Sequence, residues 1–249
     1  MTIELIIGLV LLGIVVGTMS GFFGIGGGTV SVPILLYLGF GIKEAIGISI
    51  MQMVAGSLMA ARVHHKNKTY VVQDIKYFGY GGIIGAAVGA VLVKVLASTF
   101  LEWLFLSIVA FTLGRLVLSN PAPSREEVVH RPLYTLIGGG IGIFSGMLGV
   151  GGSILMTPIL VSFMGFPLKK ASAVGLFFVM FTSISAFVSM VFLGLINFQA
   201  GLIMAISSIG GIVLGIWLLQ KVKISHYKQI LVVFYIIIFI ITAYKLIMR

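Results

Sequence analysis

What most limits this chain is the length of its uninterrupted apolar runs. From Leu5 to Gly17, and again from Ile230 to Ile241, apolar residues follow one another without alternation. A membrane β-strand alternates apolar and polar positions, so these runs read as helix. In hydrocarbon every backbone N–H and C=O has to be paired within the segment, which a helix does. Apolar segments of this kind lie at about 3–22, 43–62, 75–96, 99–119, 132–148, 170–193, 200–220 and 227–247. Each approaches the roughly 20 residues that a helical span requires. Two shorter ones, 29–40 and 153–166, each follow a glycine cluster and contain a proline. The expected fold is therefore an all-α polytopic membrane protein, with about eight transmembrane helices and two glycine-broken segments that are short or re-entrant.

Composition closes the alternatives. Of the 249 residues, 59% are hydrophobic and 9% charged, against about a quarter charged in a soluble domain. There is no cysteine, which removes disulfides, thiolate chemistry and cysteine-bound metals. The net charge of +10 reads as a positive-inside bias and attraction to anionic lipid headgroups. No basic run is interleaved with aromatics as a nucleic-acid site requires. Met1-Thr2-Ile3-Glu4 lacks the positive start of a signal peptide, so the segment from Leu5 reads as a retained span.

The chain is duplicated. Ser20-Gly-Phe-Phe-Gly-Ile-Gly-Gly-Gly-Thr-Val-Ser-Val-Pro-Ile-Leu35 aligns with Ser145-Gly-Met-Leu-Gly-Val-Gly-Gly-Ser-Ile-Leu-Met-Thr-Pro-Ile-Leu160. Further on, Lys43-Glu-Ala faces Lys169-Lys-Ala, Gly81-Gly-Ile faces Gly210-Gly-Ile, and Lys94 faces Lys223. Such duplication is the usual build of a secondary transporter. It sets residues 1–119 as the first repeat, 120–131 as a connecting loop and 132–249 as the second repeat.

Charge decides between parallel and inverted halves. Four simple crossings per half split the 16 Lys and Arg nine against seven, almost no bias. If 29–40 and 153–166 each shift the chain to the other face, only Lys43, Lys94, Lys245 and Arg249 stand against the remaining twelve. The second arrangement obeys the positive-inside rule, and the halves are expected to be inverted with the basic side cytoplasmic.

The glycine clusters carry the expected chemistry. Three glycines among five residues disfavour a continuous helix, and a break inside a membrane is tolerated only where it is buried in protein or lines a cavity. The helix restarting at Thr29 or Ser153 presents free N–H groups and the positive end of its dipole, an anion site without a cation. The candidate substrate-binding residues are Ser20, Gly24, Gly26, Gly27, Gly28, Thr29, Ser145, Gly149, Gly151, Gly152 and Ser153. Gln52, the bulkiest polar residue of its segment, either faces a central cavity or bonds a neighbouring helix. The competing role for the clusters is close helix packing, which is the expected role of Gly81, Gly85 and Gly89 and of Gly138, Gly142 and Gly146. Neither a dinucleotide fingerprint nor a Walker loop fits, since no strand precedes and no Gly-Lys-Ser/Thr follows.

These motifs, Gly21-x-x-Gly24-x-Gly26-Gly27-Gly28 with Pro33 and Gly146-x-x-Gly149-x-Gly151-Gly152-Ser153 with Pro158, resemble the signature of the TauE/SafE sulfite exporter family of membrane permeases. The resemblance spans essentially the whole chain. It implies a cell-membrane, multi-pass permease for sulfur-containing anions such as sulfite or organosulfonates. Ser153 departs from the glycine of the first copy yet can still donate to an anion.

Other residues add little chemistry. Every Asp, Glu and His falls in a loop or at a segment end, so no carboxylate relay is expected inside the bundle. Thr182, Ser183, Ser185 and Ser189 read as bonding back to their own helix. Lys94 and Lys223 read as snorkelling; Lys43 and Lys169 snorkel likewise or mark a cavity mouth. No metal, cofactor or enzyme activity is expected. The partners are a small sulfur-containing anion and membrane lipid, and an oligomer is compatible with the sequence. An anion channel of the same fold and a non-transporting scaffold are the rival functions. Because the chain has no cysteine of its own, single cysteines placed at Lys66 and at Phe198 report topology directly. They should label from opposite faces of the membrane; labelling of both from one face contradicts inversion.

Overall fold

The computed structural model describes residues 2–24, 26–66, 72–118, 131–221 and 224–247. They form ten helices: α1 (Ile3–Phe23), α2 (Gly28–Tyr37), α3 (Ile42–Lys66), α4 (Val72–Val95), α5 (Ser98–Leu118), α6 (Arg131–Leu148), α7 (Ser153–Met164), α8 (Leu168–Leu193), α9 (Phe198–Lys221) and α10 (Ile224–Ile247). Seven are long and apolar enough to cross a membrane. The eighth expected span, α6, is an 18-residue helix diluted by Arg131, Pro132 and its glycines. The connecting segment 120–131, apart from Arg131, lies outside the described residues, as does Lys223.

Lipid leaves its mark on the outer surface. Ile6, Ile7, Val10, Leu11, Ile14 and Val15 are exposed on one side of α1, and Ile206, Leu214 and Trp217 on α9. The opposite faces meet at glycine. A Cβ at Gly17 or Gly21 of α1 would fall on the carbonyl of Ser208 or Ile212, and one at Gly211 or Gly215 of α9 on that of Ile14 or Thr18. The same device joins α4 to α6. Gly81, Gly85 and Gly89 lie against the carbonyls of Thr135, Gly139 and Ile143, while Gly138 and Gly146 lie against those of Phe78 and Ala86. The packing role expected of these two stripes holds: they are each other's partners. Lipid tails give helices no hydrophobic drive to associate, so backbones that approach this closely gain dispersion contact instead.

Contacts between helices come in matched sets. The two most extensive pairings are α4 with α6 and α1 with α9, followed by α4 with α8 and α3 with α9. Helices α3 and α8 cross where Ser57 and Ser183 hydroxyls lie 3.3 Å apart. The beginning of α3 sits against the α8–α9 turn: Asn197 Nδ2 donates to Glu44 Oε1 at 2.8 Å, and a Cβ at Gly47 would fall on the Leu195 carbonyl. The short helices α2 and α7 pack on α3 and α8 respectively, and α5 and α10 pair with each other while touching α7 and α2.

Replacing Gly85 by Leu should force α4 off α6 and cost about 1–3 kcal/mol or more. Gly140, with nothing within 4 Å of its Cβ position, should accept Leu within about 0.5 kcal/mol. Thermal unfolding of the two variants in detergent checks the contrast.

Candidate functional site: two glycine breaks that meet

Both glycine clusters break the chain in the same way. Helix α1 ends where the Gly24 N–H donates to the Ser20 carbonyl at 2.9 Å, and α6 ends where the Gly149 N–H donates to the Ser145 carbonyl at 3.0 Å. Gly24, Gly26, Gly27, Gly149, Gly151 and Gly152 all have φ between 64° and 77°, the left-handed region that only glycine adopts cheaply. Helices α2 and α7 then restart. The N–H groups of Val30 and Ser31 return to the Gly27 carbonyl, and those of Leu155 and Met156 to the Gly152 carbonyl. The first N–H groups of each new helix precede that pattern and have no intrahelical acceptor.

Each restarted helix carries its proline six residues in, at Pro33 and Pro158. Proline has no N–H, so the carbonyl four residues earlier loses its donor. At Pro158 that carbonyl belongs to Ile154, and Thr112 Oγ1 of α5 reaches it at 3.4 Å.

The two clusters touch. A Cβ on Gly28 would fall on the Gly149 carbonyl oxygen and 2.8 Å from Ser49 Oγ. A Cβ on Gly26 would lie 3.4 Å from Ser153 Oγ and 3.0 Å from Val179. Val179 also lies 2.9 Å from the Cβ position of Gly151, with Met53 Sδ at 3.0 Å from it. The Gly24 carbonyl lies 3.3 Å from the Cβ position of Gly175 on α8. Of the residues expected from sequence, Gly24, Gly26, Gly27, Gly28, Gly149, Gly151, Ser153 and Gln52 thus gather at one place, with Thr29 next to Gly28 in the chain. Gly152 instead packs on Phe178, Ile141 and Ser145. Ser20 and Ser145 are buried and serve here through the carbonyls that close α1 and α6.

The polar groups at the junction are divided. One chain of hydroxyls is complete: Ser31 Oγ donates to Ser49 Oγ at 2.9 Å, which donates to the Gly149 carbonyl at 2.7 Å. Others are unused. Thr29 Oγ1, Ser153 Oγ, Thr157 Oγ1 and both amide atoms of Gln52 are buried and have no hydrogen-bond partner. Of the two roles open to Gln52, the interhelical hydrogen bond is not made; its Oε1 lies 2.7 Å from the Cβ position of Gly27. An unpaired buried polar group costs about 1–3 kcal/mol, so several in one place leave unused hydrogen-bonding capacity that calls for an explanation.

Sequence reasoning missed Thr157, Gly175, Met53 and Val179. They sit in apolar surroundings of sequence and belong to no glycine cluster or spaced motif. The serine cluster of α8 divides too. Ser189 bonds back to the Ser185 carbonyl at 2.9 Å, while Ser185 reaches across to the Ile83 carbonyl of α4 at 2.6 Å. Lys43 Nζ donates to the Lys94 carbonyl at 3.1 Å, at the end of α4, and Lys43 follows Gly41 and Ile42, which line a cavity. The side chains of Lys169, His64, His65 and His226 lie outside the described residues.

A cavity of about 230 Å³ lies away from this junction, between the end of α2, α5 and α10, lined by Ser98, Glu102, Thr242 and Lys245 among others. Glu102 is at the expected segment end, yet buried. The cavity wall thus holds one group of each charge, Glu102 and Lys245. Replacing Gln52 by Leu should raise the stability of the protein by about 1–3 kcal/mol, by removing an unsatisfied amide. Loss of stability in detergent melting would show that the amide is structural.

The sulfite exporter TauE/SafE family model matches residues 9–242. A protein of Methanocaldococcus jannaschii named a probable membrane transporter is 28% identical over 242 residues, covering 90% of each chain. The probable membrane transporter protein YunE of Bacillus subtilis is 27% identical over 216 residues, 76% of this chain and 79% of its own. Escherichia coli YfcA, also named a probable membrane transporter, is 26% identical over 152 residues, 59% of this chain and 56% of its own. No solved structure matches. With ten helices among the described residues, seven of them long and apolar enough to span, and a family match along nearly its whole length, this chain is a multi-pass cell-membrane protein of the TauE/SafE family of membrane transporters.

Proposed function

We propose that the protein is a secondary transporter for small sulfur-containing anions, sulfite or organosulfonates, and that the anion binds where the two glycine breaks meet. The observation that carries this reading is the coincidence at one buried junction of two helix N-termini with unpartnered hydroxyls and an unpartnered amide. Helix N-termini favour negative charge through their free N–H groups and dipole. The sulfur substrate comes from the family's description rather than from the geometry.

The two repeats are inverted in this account. Three observations support it. The N-terminus of α3 lies against the C-terminus of α8, its counterpart, so equivalent helices run antiparallel. Ser57 and Ser183 meet at equivalent positions of those helices. The contacts α1–α9 and α4–α6 exchange one half's first helix with the other half's fourth. Residues 1–119 and 132–249 are then the two units that rock against each other to expose the junction to either side. Thr29, Gln52 and Ser153 are completely buried, which favours a carrier over an open channel.

An inside-negative potential favours anion exit by about 2.3 kcal/mol per charge per 100 mV, roughly fiftyfold. Export needs no coupled ion. In proteoliposomes, sulfite efflux should saturate and should rise with an inside-negative potential set by a potassium gradient and ionophore. Bulky substitution at Gly27 or Gly151 should abolish it. Non-saturating flux favours the channel, and alanine-tolerant, flux-free protein favours a scaffold.

A further inference from the structure

We propose that a phosphatidylethanolamine molecule seats at the membrane-face end of α2, α5 and α10, its zwitterionic headgroup in the Glu102–Lys245 cavity and an acyl chain in a groove between α2 and α10. This seat is separate from the glycine junction and does not depend on what the junction carries.

The cavity lies where helices end. Ser98 opens α5, Lys245 belongs to the last turn of α10, and Leu36 to the last turn of α2. Helices α5 and α10 are long enough to span, so their ends lie at headgroup level. The cavity volume of about 230 Å³ is below the roughly 300–1,000 Å³ of pockets that enclose a drug-sized ligand. It has room for a headgroup and none for the chains of a lipid.

The chains have a place beside it. An apolar groove of about 270 Å³ is lined by Ile34 and Tyr37 of α2 and by Ile240, Ile241 and Tyr244 of α10. Cavity and groove share the same two helices. Leu36, Thr242 and Lys245 line the cavity, and their chain neighbours Tyr37, Ile241 and Tyr244 line the groove. From Tyr244 the groove runs back along α10 to Ile240, one turn toward the bilayer centre. Tyr37, Ile240 and Tyr244 are exposed on the outer surface of the bundle, and tyrosine near a helix end marks the membrane interface.

The charges of the cavity name the headgroup. Ser98 and Glu102 stand four residues apart on α5 and share a face. The first N–H groups of α5 precede the bond from the Leu101 N–H to the Ala97 carbonyl and have no acceptor within the helix. They suit a phosphate, as does the Lys245 ammonium. Glu102, buried one turn further along α5, suits an ammonium. A carboxylate accepts about four hydrogen bonds, so Glu102 can hold an ammonium beside the contact it already makes within the protein. A phosphate and a primary amine joined by two carbons supply both partners at once. Surface charge alone gives a different expectation: with a net charge of +10, the protein would prefer anionic lipid.

Native mass spectrometry of the purified full-length protein, titrated with phospholipids of identical acyl chains, separates the two. Phosphatidylethanolamine should bind saturably at one site, about tenfold more tightly than phosphatidylglycerol, whose headgroup has no ammonium. Phosphatidylcholine, whose nitrogen has no N–H to donate, should be weaker than phosphatidylethanolamine by about the same factor. Glu102→Gln should erase the preference by weakening phosphatidylethanolamine and not phosphatidylglycerol. Lys245→Met should weaken both about tenfold. Phosphoethanolamine, which has no chains, should fail to displace the lipid at about a hundredfold excess; displacement would assign the cavity to a small solute and overturn the lipid seat. Phosphatidylglycerol binding the unmodified protein as tightly as phosphatidylethanolamine, or Glu102→Gln weakening both lipids alike, overturns the inference, as does folded protein that holds no phospholipid.

Discussion

Backbone against backbone at glycine is the contact on which the rest of this structure depends. In lipid, burying a leucine between helices gains little over leaving it among acyl chains. What holds α1 to α9 and α4 to α6 is the approach that Gly17, Gly21, Gly81 and Gly85 permit, close enough that any Cβ would strike a carbonyl. These two tight seams each tie one half of the chain to the other. They also fix the ends of α1 and α6, the helices that deliver the glycine breaks to the interior.

The breaks extend the same logic from packing to chemistry. A membrane interior tolerates interrupted backbone only where protein surrounds it, and here the breaks meet each other and are enclosed by residues of α1, α3, α6 and α8. Left-handed glycines turn the chain, a new helix starts, and its first N–H groups have no acceptor within the helix. Pro158 then frees the Ile154 carbonyl, which Thr112 of another helix caps. An anion needs donors and tolerates no nearby acceptor charge. The junction holds hydroxyls and an amide together with the Gly24 and Gly149 carbonyls, while the buried carboxylate, Glu102, lines a separate cavity with Lys245.

Much of this was legible in the sequence, for definable reasons. Helix limits came out within a few residues because apolar runs in a membrane protein end where charge, proline or glycine begins. The Gly81 and Gly138 stripes announced packing through their four-residue spacing. The stripe of Gly13, Gly17 and Gly21 has the same spacing and passed unnoticed, masked by its overlap with the cluster that follows. Nine of the twelve expected site residues gather at the junction because a glycine break constrains where the chain goes, not only what it is. Thr157 was invisible because a lone threonine in an apolar helix bonds its own backbone as often as not; only its geometry beside Gly175 distinguishes it. Glu102 was placed correctly along the chain, but burial depends on which helices cover it, and a single sequence carries no such information.

The most direct measurement is the position of a bound anion. Bromomethanesulfonate is a monoanion whose bromine scatters anomalously. In crystals of the protein grown with it, the account predicts a bromine peak at the junction, with the sulfonate oxygens within hydrogen-bonding distance of its unpartnered hydroxyls and amide. A peak in the Glu102–Lys245 cavity with the junction unchanged would contradict the claim that the meeting of the two glycine breaks is the binding site.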